Sequence, residues 1–325
     1  MIKLAIVGYG NLGKGVELAV RQNPDMELAA VFTRRDPKSL RVQTPGLQVL
    51  PMERLDDMTQ QLDVLILCGG SATDLPVMTP ALAKKFNVVD SFDNHSRIPQ
   101  HIAKVHEAAS AAGKMAVVSC GWDPGLFSLA RIYAQAALPQ GESYTFWGPG
   151  LSQGHSDAVR RIPGVADARQ YTVPVEAALE QVRSGDAPRL TTRQKHTRHC
   201  YVVVEDGADK EAIMNTICQM PGYFADYDTT VNFITAQEMA EQHSTMPHGG
   251  FVIRSGVTGE NTRHTIEYSL KLESNPQFTA SMLVACARAA VRMQQRGETG
   301  CVTLAEIRPC DLLMDSLEDI RAHMI

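Results

Sequence analysis

The chain has 325 residues, enough for two domains at roughly 100–200 residues each. Hydrophobic residues make up 44% and charged residues 21%, and the net charge of −5 without a basic block argues against nucleic acid as the main partner. No apolar run approaches the roughly 18 residues that span a membrane.

The N-terminal stretch MIKLAIVGYGNLGKG runs straight into a glycine-rich turn, which is not the pattern of a signal peptide. Seven cysteines, an odd number with no CxxC, point to reduced thiols in the cytoplasm rather than to a disulfide framework.

In chain order, residues 1–125 read as a first domain, and its first 120 residues alternate between short apolar runs and helix-like stretches. The runs are Leu4–Val7, Leu28–Phe32, Val64–Cys68, Val88–Ser91 and Ala116–Cys120. Between them Asn11–Arg21, Leu75–Lys85 and Pro99–Ala112 carry helical patterns. Such alternation predicts an α/β fold, a doubly wound parallel sheet of the Rossmann kind with strands buried on both faces.

The character changes after Trp122-Asp123-Pro124-Gly125. Residues 126–275 read as an α+β domain with a mostly antiparallel sheet. Leu126–Ala137 is helical and Tyr144–Trp147 a strand, followed by glycine-rich and polar turns at 148–156. Tyr201–Glu205, Phe251–Arg254 and Thr265–Leu272 are further strands, the last two joined across Gly256–Asn261. A long helix is expected over Gln277–Gln295, and the segment from about 276 to 325 should pack back on the first domain.

Gly8-Tyr9-Gly10-Asn11-Leu12-Gly13 is a GxGxxG that follows a strand and opens a helix. Gly8 permits the tight turn, Gly10 lets the backbone approach a pyrophosphate, and Gly13 lets helix and strand pack closely. The helix N-terminus offers free N–H groups to phosphate. The second strand ends in Thr33-Arg34-Arg35-Asp36. Two guanidinium groups and a hydroxyl suit the 2′-phosphate of NADP, whereas Asp36 in a shifted register would suit the ribose of NAD.

Other strand ends should line the same cleft. They are Cys68-Gly69-Gly70-Ser71-Ala72, Ser91-Phe92-Asp93 and Cys120-Gly121-Trp122-Asp123-Pro124. Ser71–Asp74 also has the composition of a helix cap. Asp93 and Asp123 stand at two of these ends and would favour a cationic group such as an amine, holding it, deprotonating it or directing a water. Arg198 and His199, just before Tyr201–Glu205, and His248 in the Met246–Gly250 loop suit a carboxylate. No metal is expected, because His196-x-x-His199 and His243…His248 lack a third ligand of consistent spacing and no HExxH occurs. No GxSxG supports a covalent nucleophile.

Taken together and in order, VGYGNLGKG, FTRRDP, CGGSATD, SFDNH, GWDPG, TFWGPGLSQGHSDAVRRIPGV, MPHGGFVIRSG and LESNPQFTA resemble the meso-diaminopimelate dehydrogenases over essentially the whole chain. The resemblance is weakest over 37–60 and the last ~15 residues. It implies NADP-dependent oxidative deamination of meso-2,6-diaminopimelate at its D-configured carbon, reversibly, in lysine and cell-wall precursor synthesis. It also implies a homodimer built through the second domain.

Carried over residue by residue, Asp93 and Asp123 match the carboxylates around the reacting amine, and Trp147 an aromatic wall. Gln153 and Gly154 match a substrate loop, with Asp157 close behind. Thr172, Arg198 and His248 match the cluster for the distal end, and Asn275 a further contact. Two other readings of the same residues are a different two-domain NADP oxidoreductase, such as a dihydrodipicolinate reductase, and a non-catalytic NADP-binding redox sensor.

Overall fold

The computed structural model describes residues 1–260 and 262–325. The chain divides into two compact units, Met1–Leu129 with Pro276–Ile325, and Ala130–Asn275.

In the first unit seven parallel strands form one sheet in the order β3-β2-β1-β4-β5-β6-β14, numbered along the chain. They are β1 (Ile2–Val7), β2 (Met26–Thr33), β3 (Gln48–Pro51), β4 (Val64–Leu67), β5 (Val88–Asp90), β6 (Met115–Val117) and β14 (Gly300–Val302). The order reverses between β1 and β4, the switch point at which such sheets bind dinucleotides. Leu4, Ala5, Ile6 and Val7 are all fully buried. Leu4 and Ile6 join one core and Ala5 and Val7 the other, as alternation along a strand with helices on both faces requires.

Helices α1 (Asn11–Val20), α2 (Leu75–Leu82) and α3 (Ile98–Ala111) connect these strands. The helix Asn275–Gln295 returns to the first unit. Ala280, Leu283, Val284, Ala287 and Val291, at helical spacing, enter the core on the α1 face. Gly15 of α1 is there for the close approach, since a Cβ on it would lie 2.9 Å from the Ala280 Cβ and from the Pro276 carbonyl oxygen. Buried Arg288 locks the helix in place, donating to both oxygens of Asp25 (2.6 and 2.7 Å), to Asn23 Oδ1 (2.7 Å) and to the Leu312 carbonyl (2.8 Å).

The second unit opens with α4 (Leu126–Ala137), which begins in the first unit and crosses the boundary. It holds β7 (Gly141–Trp147), β8 (Gly150–Leu151), β9 (Val165–Pro174), β10 (His196–Val204), β11 (Asp228–Phe233), β12 (His248–Thr258) and β13 (Thr262–Leu272). Where the hydrophobic pattern suggested one sheet there are two, ordered β11-β10-β9-β8 and β13-β12-β7. All pairs are antiparallel except β10 with β11. The predicted turn over Gly256–Asn261 includes Asn261, which lies outside the described residues.

The chain departs locally from its apolar pattern at three places. Residues 148–156 are not all turn: β8 and the start of α5 (Gln153–Arg160) lie within them. Arg198 and His199 do not precede their strand but lie inside β10, which begins five residues earlier than its apolar run because cross-strand pairing with β9 extends it. His248 is not in a loop; it opens β12, and Gly249 and Gly250 let the neighbouring strands pass close by.

Candidate active site

The glycine turn sits between β1 and α1 at the switch point. Gly8 has φ +94°, and a Cβ on Gly13 would fall 2.4 Å from the Gly8 carbonyl oxygen. Gly10 is different: a Cβ there would meet nothing within 4 Å. The protein's own packing gives no reason for a glycine at that point, so the bare backbone faces space a ligand can use. A cleft of about 240 Å³ opens there, lined among others by Gly8, Gly10, Thr33, Arg34, Arg35 and Gly69.

Arg34 and Arg35 are exposed at the end of β2 and held in place. The Arg34 guanidinium donates to Asp74 Oδ1 at 2.9 Å, and that of Arg35 to the Tyr9 carbonyl. Asp74 precedes α2 but does not cap it through its side chain. Its carboxylate instead accepts from the Gly70 N–H (3.0 Å) as well as from Arg34, and these bonds hold its pKa below the ordinary aspartate value. Gly69 is confined by the same side chain, since a Cβ on it would lie 2.7 Å from the Asp74 Cβ. Asp36 accepts from the Lys38 N–H at 3.0 Å, capping the short turn Pro37–Ser39. Its carboxylate therefore has an occupation of its own, and the residues around the cleft fit a dinucleotide with a 2′-phosphate. Tyr9, Met52, Asp74 and Met78 also line the cleft; the sequence reading named none of them as cofactor contacts. Asn11 and Leu12 open α1, and Ala72 is exposed in the loop before α2.

Asp93 is exposed two residues beyond the Ser91 that follows β5, and its N–H donates to Ser71 Oγ at 3.2 Å. Asp123 is partly exposed in the tight loop Gly121–Gly125, in which Trp122 bridges to Gly125. Trp122 is buried with its ring edge-on to Phe127 (5.3 Å), and Pro124 is buried beside it. Phe92 and Cys120 are buried beneath these loops, so what they can offer a ligand is main chain.

In the second unit one row of paired residues crosses the four-stranded sheet: Gly150, Thr172, Arg198 and Thr229. Register alone puts Arg198 against Thr172, and its guanidinium donates to Thr172 Oγ1. The same guanidinium lies 3.9 Å from the Tyr227 ring centroid, a cation–π contact. Arg198 is 5% exposed, and its Nε has no hydrogen-bond partner within the protein. A buried guanidinium with an unused donor is a ready partner for a carboxylate.

The Gly148–Gly150 loop threads past this row. A Cβ on Gly148 would lie 2.0 Å from the Thr172 carbonyl oxygen, and one on Gly150 would lie 2.5 Å from the His248 Cα. Any side chain at either position would push Trp147, Thr172 and His248 apart. Burial, with Arg198 nearby, pushes the His248 pKa down to about 4, so its imidazole is neutral near pH 7. Trp147 is fixed by His196, whose Nε2 accepts the Trp147 N–H at 2.8 Å and whose ring stacks on the indole (5.5 Å, 23°). Gln153 donates to Met246 Sδ at 2.9 Å, and Gly154 is exposed at the start of α5. Asn275 donates its N–H to the Met246 carbonyl (2.9 Å), while Asp157 is taken up by Arg160. His196 and Tyr227 were not foreseen as site residues. Among the described residues no group of three His, Cys, Asp or Glu could hold a metal ion.

A switch-point cleft fitted to a phosphorylated dinucleotide, on a parallel sheet whose strand ends also carry the two loops of Asp93 and Asp123, defines a dinucleotide-dependent oxidoreductase of two domains. A family model described as the diaminopimelic acid dehydrogenase C-terminal domain matches residues 121–274. Over 326 aligned residues the chain is 55% identical to the meso-diaminopimelate D-dehydrogenase of Acetivibrio thermocellus, covering 100% of this chain and 98% of that protein. The structure of C. glutamicum DAP dehydrogenase in complex with DAP matches with a TM-score of 0.94 at 50% identity, covering 100% and 99% of the two chains. An engineered D-amino acid dehydrogenase bound to NADP+ matches with a TM-score of 0.90 at 48% identity, again over 100% and 99%. The chain belongs to the meso-diaminopimelate dehydrogenase family.

Proposed function

We propose that this chain catalyses the reversible NADP-dependent oxidative deamination of meso-2,6-diaminopimelate at its D-configured carbon. The substrate, NADP+ and water give L-2-amino-6-oxopimelate, ammonium, NADPH and a proton, and the oxo product cyclises to tetrahydrodipicolinate. The reading is carried by its end-to-end 55% identity with a meso-diaminopimelate D-dehydrogenase. The Arg34–Arg35 pair, with Asp36 turned to a cap, supports NADP over NAD.

Residues 1–125 with the C-terminal segment serve the cofactor, and 126–275 the substrate and dimerisation. When bound, NADP+ supplies the hydride acceptor. Asp93 and Asp123 hold the reacting ammonium group and take its proton, so that the nitrogen lone pair can drive hydride loss from carbon. They then direct a water onto the resulting substrate imine, and ammonia departs. Trp147, Gln153 and Gly154 flank the substrate. Arg198 carries the charge that binds the distal carboxylate, with Thr172, neutral His248 and Asn275 as hydrogen-bonding partners. Among the described residues no helix is long and apolar enough to cross a membrane. The enzyme works in the cytoplasm as a homodimer, and the exposed faces of β13 support a partner surface in the second unit.

The reductive direction separates this reading from a dihydrodipicolinate reductase. NADPH oxidation with tetrahydrodipicolinate must require ammonium and form diaminopimelate. Oxidation of NADPH at full rate without ammonium would overturn the proposal.

A further inference from the structure

We infer that Asp90 is a positioning residue that sets both acidic loops at once. This rests on the reading of Asp93 and Asp123 as the carboxylates that handle the amine. Asp90 ends β5 and is fully buried. Its Oδ1 accepts two main-chain N–H groups at 3.0 Å each, from Phe92 on its own loop and from Ser119 beyond the neighbouring β6. Its Oδ2 meets Thr79 Oγ1 and His101 Nε2, both at 2.7 Å. Its main-chain oxygen accepts the Cys120 N–H at 2.9 Å.

One carboxylate thus fills its four lone-pair sites with donors from α2, α3 and the two loops. Phe92 immediately precedes Asp93. Ser119 and Cys120 lead into the Gly121–Gly125 loop that carries Asp123. Ser119 is the one non-glycine residue among those described with a positive φ, +57°. An L residue avoids that conformation unless its surroundings hold it there. The bond from its N–H to Asp90 is such a hold, and it turns the chain toward Asp123. The Phe92 ring stacks on His101 (4.2 Å, 19°), so the Asp93 loop is pinned to the same centre from its other side. Folding alone would need this carboxylate only to be satisfied; here it joins the two loops that must agree in position.

The test compares Asp90→Ala and Asp90→Asn in the full chain. Asparagine keeps the Oδ1 acceptor for both loop N–H groups and presents its amide to Thr79 and His101, which can accept. Alanine leaves the Phe92 and Ser119 N–H groups without their side-chain acceptor, while the main-chain bond to Cys120 remains. Turnover of meso-diaminopimelate and NADP dissociation constants are measured for each. Asp90→Ala should lower kcat by about 100-fold, as displacements on the order of 1 Å do, with NADP affinity within about threefold of wild type. Asp90→Asn should recover kcat to within about tenfold.

Equal losses in both variants, a kcat for Asp90→Ala near wild type, or a parallel loss of NADP binding would overturn the inference. Should Asp90→Ala fail to fold, Thr79→Val removes one Oδ2 donor without touching either loop. It should lower kcat by about three- to tenfold at constant NADP affinity, and an unchanged kcat overturns the inference. Asp93→Asn and Asp123→Asn are run beside them. If those two turn over normally, the reading of the aspartates fails. If they are slow while Asp90→Ala is not, only the positioning role fails.

Discussion

Arg34 and Arg35 face solvent, yet each is held by the fold, Arg34 by Asp74 and Arg35 by the Tyr9 carbonyl. Guanidinium groups ordered in advance lose less freedom when they meet a phosphate. Replacing both with alanine should cut kcat/KM for NADP by about 100-fold or more while changing that for NAD by less than about tenfold, measured from initial rates with each cofactor. An equal loss with both cofactors would mean that the pair does not read the 2′-phosphate. In the distal cluster, Arg198→Leu should raise KM for meso-diaminopimelate by about 100-fold, and a KM within a few-fold of wild type would remove Arg198 from the substrate. Asp93, Asp123 and the two arginines could be picked out as candidates because each follows a β-strand within a few residues, where chain order predicts position. His196 and Tyr227 were not, because only cross-strand register and stacking bring them to Trp147 and Arg198.

At the scale of elements, strands with apolar runs were legible and those with polar interiors were not. β9 was missed because the side chains it buries include Gln170 and Thr172, which break the hydrophobic alternation. β14 has three residues, too few for any periodicity. α5 begins Gln-Gly-His-Ser-Asp, the composition of a turn, and becomes a helix by burying Ser156, Ala158 and Val159. The packing of the Asn275–Gln295 helix on α1 depends on Gly15, whose need for smallness comes from a residue 265 positions away, Ala280. Gly15→Val should overpack that contact and destabilise the first unit by about 1–3 kcal/mol. Chemical denaturation would show it as a lower midpoint, and an unchanged midpoint would mean that the helices can separate freely.

For the whole molecule, burial sets an acid limit. It lowers the pKa values of His155 and His196 to about 3 and of His248 to about 4. In the unfolded chain each returns to roughly 6.5. Below that value the unfolded state binds protons that the folded state refuses. Stability is therefore full above roughly pH 6.5 and declines as pH falls toward the folded values. Urea midpoints at pH 7 and 5 should differ in wild type and differ less in His196→Asn; identical pH dependence would mean that His196 is not buried neutral. Light scattering of the purified chain should give twice the chain mass, and a monomer would contradict the proposed homodimer.

Oxidation at the D-configured carbon of one particular diamino acid is what sets this enzyme's stereochemistry. Initial rates of NADP+ reduction with the meso, LL and DD isomers of diaminopimelate test that selectivity. The enzyme should form NADPH rapidly with the meso isomer, prefer it markedly, and show no measurable rate with LL. Turnover of the LL isomer at a comparable rate, or none with meso, would contradict that selectivity.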